Sequence, residues 1–262
     1  MTAVETGPDP RPDLAPAGSG PPTGPVARYL DRSIAPAAAG IDGVRLHSRG
    51  LVRLGHRWWP YRAVESVRPQ HGYTRAMTIA GMLHVTDSFV LGRARHHLAL
   101  GRWTLGRDLR GHDLALGDAA RCALTAMWVP SAVAPEAGGH WWADDAHRVS
   151  VAFEVGDVPV AAHLSLHPGG LPHRITVTRW GDPDRSGLPR FLPYGVDVWE
   201  HRTYGGLTVP ATGVAGWHIG TPRWPSGAVL RFQLTDIEPL PPADPGSADA
   251  DPAADDDEEI PR

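Results

Sequence analysis

Histidine is the residue type in this sequence with the most to offer chemically, because imidazole binds metals and transfers protons near neutral pH. The chain holds 14 histidines, and the closest pairs are His96–His97, His163 with His167, and His140 with His147. In a strand, residues four apart lie about 13 Å from one another, whereas zinc needs nitrogens about 2 Å from the metal. We therefore expect exposed histidines on a sheet rather than a metal site.

Other catalytic patterns in the sequence are equally weak. The single cysteine, Cys122, lies in an apolar helical stretch, which favours a small buried side chain over a reactive thiol. Asp144–Asp145 is typical of a turn and has no defined partner for acid–base work. The sequence contains no G-x-S-x-G, H-E-x-x-H or phosphate-loop pattern, and all 25 basic residues are arginine. We predict no catalytic residue, no metal and no cofactor.

Tryptophan is the second unusual residue type, with ten copies in the chain. Large rings with a single polar N–H suit the walls of apolar pockets. The alternative is that they pack in the core or pair across hairpins, which also suits aromatic side chains. On the pocket interpretation, we predict that a ligand would be contacted by Tyr73, Met127, Trp128, Trp142 and Trp199.

Composition divides the chain into a folded part and two polar ends. Residues 1–24 are rich in Pro, Gly, Ala and Asp, and residues 241–262 carry eight carboxylates. Neither segment can bury enough apolar surface to offset the entropy of ordering, so we predict disorder in both. Residues 25–240 are expected to form a single mainly-β domain. Its arginines are spread rather than clustered, so the sequence does not indicate nucleic-acid binding.

Period-two alternation of apolar and polar residues runs through most of this domain. It is clearest at 147–155, 158–167 and 228–238, and it is also present at 44–54 and 83–91. Tight turns separate these runs, as at Gly156–Asp157, so the sequence predicts antiparallel hairpins with one apolar face. We expect nine to eleven strands. A sheet that long curls or closes.

Two segments have helical rather than strand periodicity. Val26, Tyr29, Leu30, Ser33 and Ile34 share one face of a short helix. A second helix is predicted from Asp118, as its cap, to Trp128. The expected fold is therefore mainly β: a curved antiparallel sheet, as a half-barrel or open barrel, with two helices packed on the concave face or mouth.

Several motifs taken together resemble a bacterial family of unknown function, domain of unknown function 6544. They are PVARYL, RWWPYRAVESV, LHVTDSFVLG, MWVPSAVA, WEHRTYGGLTVPATGVAGW and FQLTDIEPL, whose order and spacing match over about residues 25–240. The resemblance implies structural roles for these residues and no reaction. The last element is also loosely similar to the closing strands of bacterial lipoprotein-carrier half-barrels, which hold acyl chains.

These observations favour a non-enzymatic module that binds a hydrophobic or amphipathic small ligand inside the curved sheet. Two alternatives stay open: an enzyme acting on a hydrophobic substrate in the same cavity, and a structural or protein-interaction domain whose partner the sequence does not indicate. A lone cysteine and the lack of a signal peptide predict a cytoplasmic protein. No segment reaches the ~20 apolar residues that a membrane helix needs, so stable membrane insertion is not expected.

Overall fold

A computed structural model describes residues 22–101, 103–104 and 109–242 of the 262-residue chain. The predicted disordered segments 1–24 and 241–262 lie almost wholly outside the described residues. The assignment of residues 25–240 to a single domain stays a prediction.

Thirteen strands form one continuous antiparallel sheet in the described part of the chain. The first six are β1 Val44–Leu54, β2 Arg57–Arg68, β3 Gly72–Ile79, β4 Leu83–Val90, β5 Arg93–Leu100 and β6 Trp103–Thr104. The other seven are β7 His140–Ala143, β8 Arg148–Val155, β9 Val158–Leu166, β10 Pro172–Gly181, β11 Arg190–Tyr204, β12 Leu207–Trp217 and β13 Ala228–Pro239. The mainly-β antiparallel fold is thereby confirmed.

The first and last strands of the sheet lie side by side at its centre. β1 pairs along its length with β13, from Val44 opposite Pro239 to Val52 opposite Leu230. From this central pair, β2 to β6 extend as a meander in one direction, and β12 down to β7 extend in the other. We call these two halves the first arm and the second arm. β6 and β7 are the two edges and do not pair with each other, so the barrel stays open.

The apolar face of the sheet is concave because the strands curl toward a shared core. In β8, Val149, Val151 and Val155 are fully buried and Phe153 nearly so. At one end, the β8–β9 turn meets the first arm: the Gly156 amide donates to the Gln70 carbonyl at 2.8 Å. A bulge in the β1–β13 pairing between His47 and Ser48 adds local twist near the sheet centre.

Two helices cover the concave side, as expected. α1, Gly24–Ser33, buries Val26, Tyr29 and Leu30 against β7, β8 and β12. α2, His112–Thr125, connects the two arms and rests on β3 to β5 of the first arm and β8 to β10 of the second. A 3₁₀ turn at Ala126–Trp128 continues α2, and a short third helix, α3, occupies Trp224–Gly227. None of the helices in the described residues is long and apolar enough to span a bilayer.

Two sequence predictions were wrong: the start of α2 and the number of strands. α2 begins at His112, six residues before the predicted cap Asp118. Asp118 instead lies in the middle of the helix, fully buried on the side that faces the sheet. The described residues also contain thirteen strands rather than nine to eleven. The two edge strands, β6 and β7, have two and four residues, which is too short to show a repeating pattern.

Candidate functional site

A cavity of about 90 Å³ lies between the concave face of the sheet and α2. The strands at the sheet centre and the last turn of α2 supply most of its wall. The apolar lining residues are Leu46, Tyr61, Ala63, Met77, Leu124, Trp128, Tyr194, Val196, Ala215, Leu230, Phe232 and Leu234. The wall is predominantly hydrocarbon and aromatic surface, as is usual for a small-molecule site.

Trp128 is the largest side chain in this wall. It follows α2 directly, so the end of the helix places its indole over the central strands. The indole N–H donates to the carbonyl of Pro210 at 2.8 Å, and the ring meets Phe232 edge-on with centroids 5.7 Å apart. The one polar atom of the indole is thus satisfied outside the cavity, and the apolar ring faces its interior.

The other end of the cavity is polar. Glu65, Arg75 and Arg121 contribute charged groups to the wall, and Ser48 and Thr125 contribute hydroxyls. The Thr125 hydroxyl donates back to the Arg121 carbonyl of its own helix at 3.1 Å. The cavity therefore has an amphipathic lining, with a long apolar wall and a compact charged end.

The charged end belongs to a row that crosses four strands of the first arm. In the strand register, Glu65 of β2 is opposite Arg75 of β3, Arg75 is opposite Asp87 of β4, and Asp87 is opposite His96 of β5. We call these four residues the charged row. Glu65, Arg75 and Asp87 alternate in sign, which is the favourable arrangement for directly opposed cross-strand pairs. Arg75 donates to Asp87 through both Nε and Nη2.

α2 places two more charged side chains on top of the charged row. Arg121 Nη2 donates to Glu65 Oε2 at 2.6 Å, and its guanidinium carbon lies 4.0 Å from the centre of the Tyr73 ring. One turn earlier, Asp118 is 2.7 Å from His96 Nε2 and 3.4 Å from Nη2 of Arg179 on β10. Asp118 thus connects the two arms through the helix.

The buried charges shift one another's pKa values. Burial alone would raise the pKa of Asp87, but Arg75, His96 and Arg121 outweigh it and hold that pKa below its usual range. Burial likewise opposes the charge of Arg121, yet Glu65 and the other acids hold the pKa of its guanidinium well above normal. Both groups are therefore ionised at neutral pH, and both depend on their partners for it.

Two weaker acids near the cavity are made weaker by burial. Burial raises the pKa of Tyr61 to about 12, an effect that the nearby Ser48 and the charge of Arg75 only partly offset. Burial also raises the pKa of Cys122 to about 12, and its thiol points at the Pro69 carbonyl with sulfur and oxygen 3.8 Å apart. Both groups are therefore held in their protonated, weakly nucleophilic form near neutral pH.

The five residues predicted to contact a ligand have different positions. Trp128 lines the cavity. Tyr73 and Met127 are buried but are not among its lining residues: Tyr73 lies under Arg121, and the Met127 sulfur is 4.0 Å from the Tyr29 hydroxyl. Trp142 lies on edge strand β7 with its N–H on Asp144, and Trp199 is 63% exposed on β11. Of the five predicted residues, Trp128 lines the cavity and the other four do not.

Sequence reasoning missed the charged end of the cavity. In YRAVESVR, Glu65 has the same parity as Tyr61 and Ala63, and in LHVTDSFVL, Asp87 has the same parity as Val85 and Phe89. A charged residue at an inward position in consecutive strands was the available signal. Its meaning depends on register, which alternation within single strands does not provide.

The histidines mostly follow the sequence expectation. His140, His147, His163 and His167 are exposed on the sheet or its turns. His96 departs from it, because it points inward to Asp118. Within the described ranges, no group of three or more His, Cys, Asp and Glu side chains is arranged to hold a metal.

A second depression lies on the outer surface near the β7–β8 turn. Asp145, His147 and Arg148 form it together with Ser165 and His173. Its residues are mainly solvent-exposed, and Asp145 and Arg148 pair with each other at 2.7 Å. None of its lining residues is buried, so the cavity between α2 and the sheet is the better candidate site.

Comparisons with known proteins place the fold in a broad context. No curated protein matches the sequence. A DUF1329 family protein from Desulfovibrio piger has a TM-score of 0.43 and 9% identity, and the match covers 86% of this chain and 98% of that one. A LolA superfamily protein from Nitrosomonas europaea has a TM-score of 0.38 and 14% identity over 84% and 96% of the two chains. These likenesses are too distant to carry an argument about function.

The sequence motifs quoted above find a closer counterpart in a family model. That model, described as a family of unknown function (DUF6544), matches residues 22–228. The matched range includes both arms of the sheet up to the start of β13, α1, α2, and every charged side chain described around the cavity. The chain belongs to the DUF6544 family.

Proposed function

We propose that this chain is a non-enzymatic module that binds a small amphipathic molecule between α2 and the concave face of the sheet. The supporting observation is the cavity itself: an apolar wall with Trp128 at its centre and a charged end formed by Glu65, Arg75 and Arg121. Such a pocket, with few polar groups set in hydrocarbon, is the usual form of a small-molecule site.

The size of the cavity limits the ligand. A dry protein cavity of about 150 Å³ holds a benzene molecule, so on the same scale the volume of about 90 Å³ found here accepts about four non-hydrogen atoms. A long acyl chain would fit only if α2 moved outward from the sheet. The proposed occupant is therefore a small molecule, or the end of a longer one.

The first experiment tests whether the cavity takes up an apolar guest. Xenon fills small apolar cavities without regard to polar contacts, so it should shift the NMR resonances of Trp128 and Met77 in the full chain. Ala63→Leu adds three carbons to the wall and should abolish that shift. Ala76→Leu makes the same change at an exposed position of β3 and should leave it unchanged.

The proposal fails if xenon does not perturb the cavity residues of the wild-type chain. Organic extraction of gently purified protein, followed by mass spectrometry, looks for a natural ligand in the same cavity. If the protein is instead an enzyme, Glu65 is the candidate catalytic carboxylate in the cavity wall. Chemical conversion of an extracted ligand during incubation would reveal that activity.

A cytoplasmic location also stays a proposal. It is supported by the single cysteine, which is buried and unpaired in the structure. Cell fractionation with an antibody against the chain would test it.

A further inference from the structure

The Glu65–Arg121 pair at the charged end of the cavity leaves part of its hydrogen-bonding capacity unused. Nη2 of Arg121 bonds Oε2 of Glu65, but Nη1 of Arg121 and Oε1 of Glu65 have no partner among the described residues. Both side chains are largely buried, with 10% of Arg121 and 13% of Glu65 exposed. Within the described part of the chain, the pair thus has one donor and one acceptor that are not satisfied.

Unmet groups of this kind are rare in protein interiors because leaving them unpaired costs free energy. Both residues line the cavity, and a guest there could reach the two buried atoms through a small rotation of the side chains. A guest that offers only an acceptor would bond to Nη1 of Arg121 and leave Oε1 of Glu65 without a hydrogen bond. A guest that offers one donor and one acceptor would serve both.

The surrounding charges indicate what the guest's own charge should be. The three acids near the cavity each have an arginine: Glu65 pairs with Arg121, Asp87 with Arg75, and Asp118 with Arg179. An ionised guest would add a charge that none of these three pairs balances, and uncompensated buried charge is strongly unfavourable.

We infer that the cavity selects a guest with a neutral head group that both donates and accepts hydrogen bonds, such as a primary carboxamide or an alcohol. Its carbonyl or hydroxyl oxygen accepts from Nη1 of Arg121, and its N–H or O–H donates to Oε1 of Glu65. Its short apolar tail lies toward Trp128. This inference rests on the proposed binding function and specifies the chemistry of the ligand.

The test compares four compounds with the same three-carbon chain: propanamide, 1-propanol, propanoate and propylammonium. Binding is measured at pH 7.5 from the shift of the Trp128 indole resonance, assigned with Trp128→Phe. We expect propanamide and 1-propanol to bind at least about fivefold more tightly than either ion. Equal or tighter binding of propanoate or propylammonium would overturn the inference.

Glu65→Gln provides a second readout that a purely structural role would not give. The variant leaves the Arg121 charge unbalanced, so the preference should move toward propanoate by about fivefold or more. Glu154→Gln, at an exposed position of β8, is the matched control and should keep the wild-type order. An unchanged order in Glu65→Gln counts against the inference.

Xenon binding distinguishes a failure of the head-group inference from a failure of the binding proposal. If xenon enters the wild-type cavity but the four compounds show no preference, the head-group inference fails and the binding proposal stands. If neither xenon nor any compound perturbs the cavity, both fail. Ala215→Val, a smaller filling change in the same wall, replaces Ala63→Leu if that variant does not fold.

Discussion

At the scale of single residues, this protein concentrates charge where most proteins place hydrocarbon. Arg75 and Asp87 have side chains only 19% and 5% exposed. An intact pair of this kind adds little net stability, because both ions lose water on burial. Removing one partner leaves the other as an unpaired buried charge, which is strongly destabilising. The charged row is therefore sensitive to any change that leaves an ion alone.

Asp87→Asn should lower the free energy of unfolding by about 3 kcal/mol at pH 7, because Arg75 loses its counter-ion. The pKa of Asp87 is below its normal value in the folded state. Its contribution is therefore present above the unfolded pKa of about 3.9 and is lost as the pH falls through the folded pKa.

Urea denaturation at several pH values measures this effect. The difference between wild type and Asp87→Asn should be largest near neutral pH and shrink below about pH 4. Asp31→Asn, at an exposed position of α1, should change stability by less than about 0.5 kcal/mol. A constant difference at all pH values would contradict the assignment.

Cys122 should resist thiol reagents in the folded protein. Its side chain is fully buried, and burial raises its pKa to about 12, so almost no thiolate is present at pH 8. A thiol assay should detect no reaction in buffer and one thiol in guanidinium chloride. Ser186→Cys, at an exposed position in a Cys122→Ala background, should react at once, and stoichiometric labelling of native Cys122 would refute the prediction.

At the scale of elements, α2 is the piece that holds the two arms together. It touches strands on both sides of the trough, and Asp118 reaches His96 on one arm and Arg179 on the other. Its close approach to the sheet depends on Gly117, where an added Cβ would lie 2.8 Å from the Trp180 carbonyl oxygen. A helix this close to a strand leaves no room for a methyl group.

Gly117→Ala should therefore destabilise the fold by roughly 1–3 kcal/mol through overpacking, although alanine is the better helix former by about 1 kcal/mol. Urea denaturation shows whether the variant is less or more stable than the wild type. Helix propensity alone predicts that it is more stable. Gly40→Ala is the control, since no atom lies within 4 Å of the added Cβ there. A more stable Gly117→Ala variant would show that the helix can move away from the sheet.

The sequence was most informative about elements that bury one face. The alternation of Val160, Ala162 and Leu164 predicts β9 because burial acts on every second residue. The start of α2 could not be predicted, because Asp118 is typical of a helix cap and its actual partners are distant in sequence. The charged end of the cavity escaped prediction for a related reason: Glu65 and Arg121 meet only through tertiary packing.

At the scale of the whole molecule, curvature brings distant parts of the chain together without closing the barrel. The Gln70 carbonyl accepts the Gly156 amide, and the Gln70 side chain donates to the carbonyls of Ala132 and Ala137. One residue on the β2–β3 turn thereby joins the second arm and the segment after α2.

Gln70→Ala should lower the free energy of unfolding by about 1–2 kcal/mol, since two carbonyls lose their donor. It should also speed hydrogen exchange of the Gly156 amide, because the end of the trough opens more often. Gln233→Ala removes a side chain that accepts from Arg49 at an exposed site and should leave Gly156 exchange unchanged. Unaltered exchange in Gln70→Ala would mean that the backbone bond alone holds this end.

The central pairing of β1 with β13 has a consequence for synthesis on the ribosome. Val44 cannot pair with Pro239 until Pro239 has been synthesised. At 5–20 residues per second, that interval is roughly 10–40 seconds. During this time the first hairpins can form, but one edge of β1 presents unpaired backbone N–H and C=O groups to other chains. The nascent chain is thus most prone to aggregate until its last strand emerges, however stable the finished protein is.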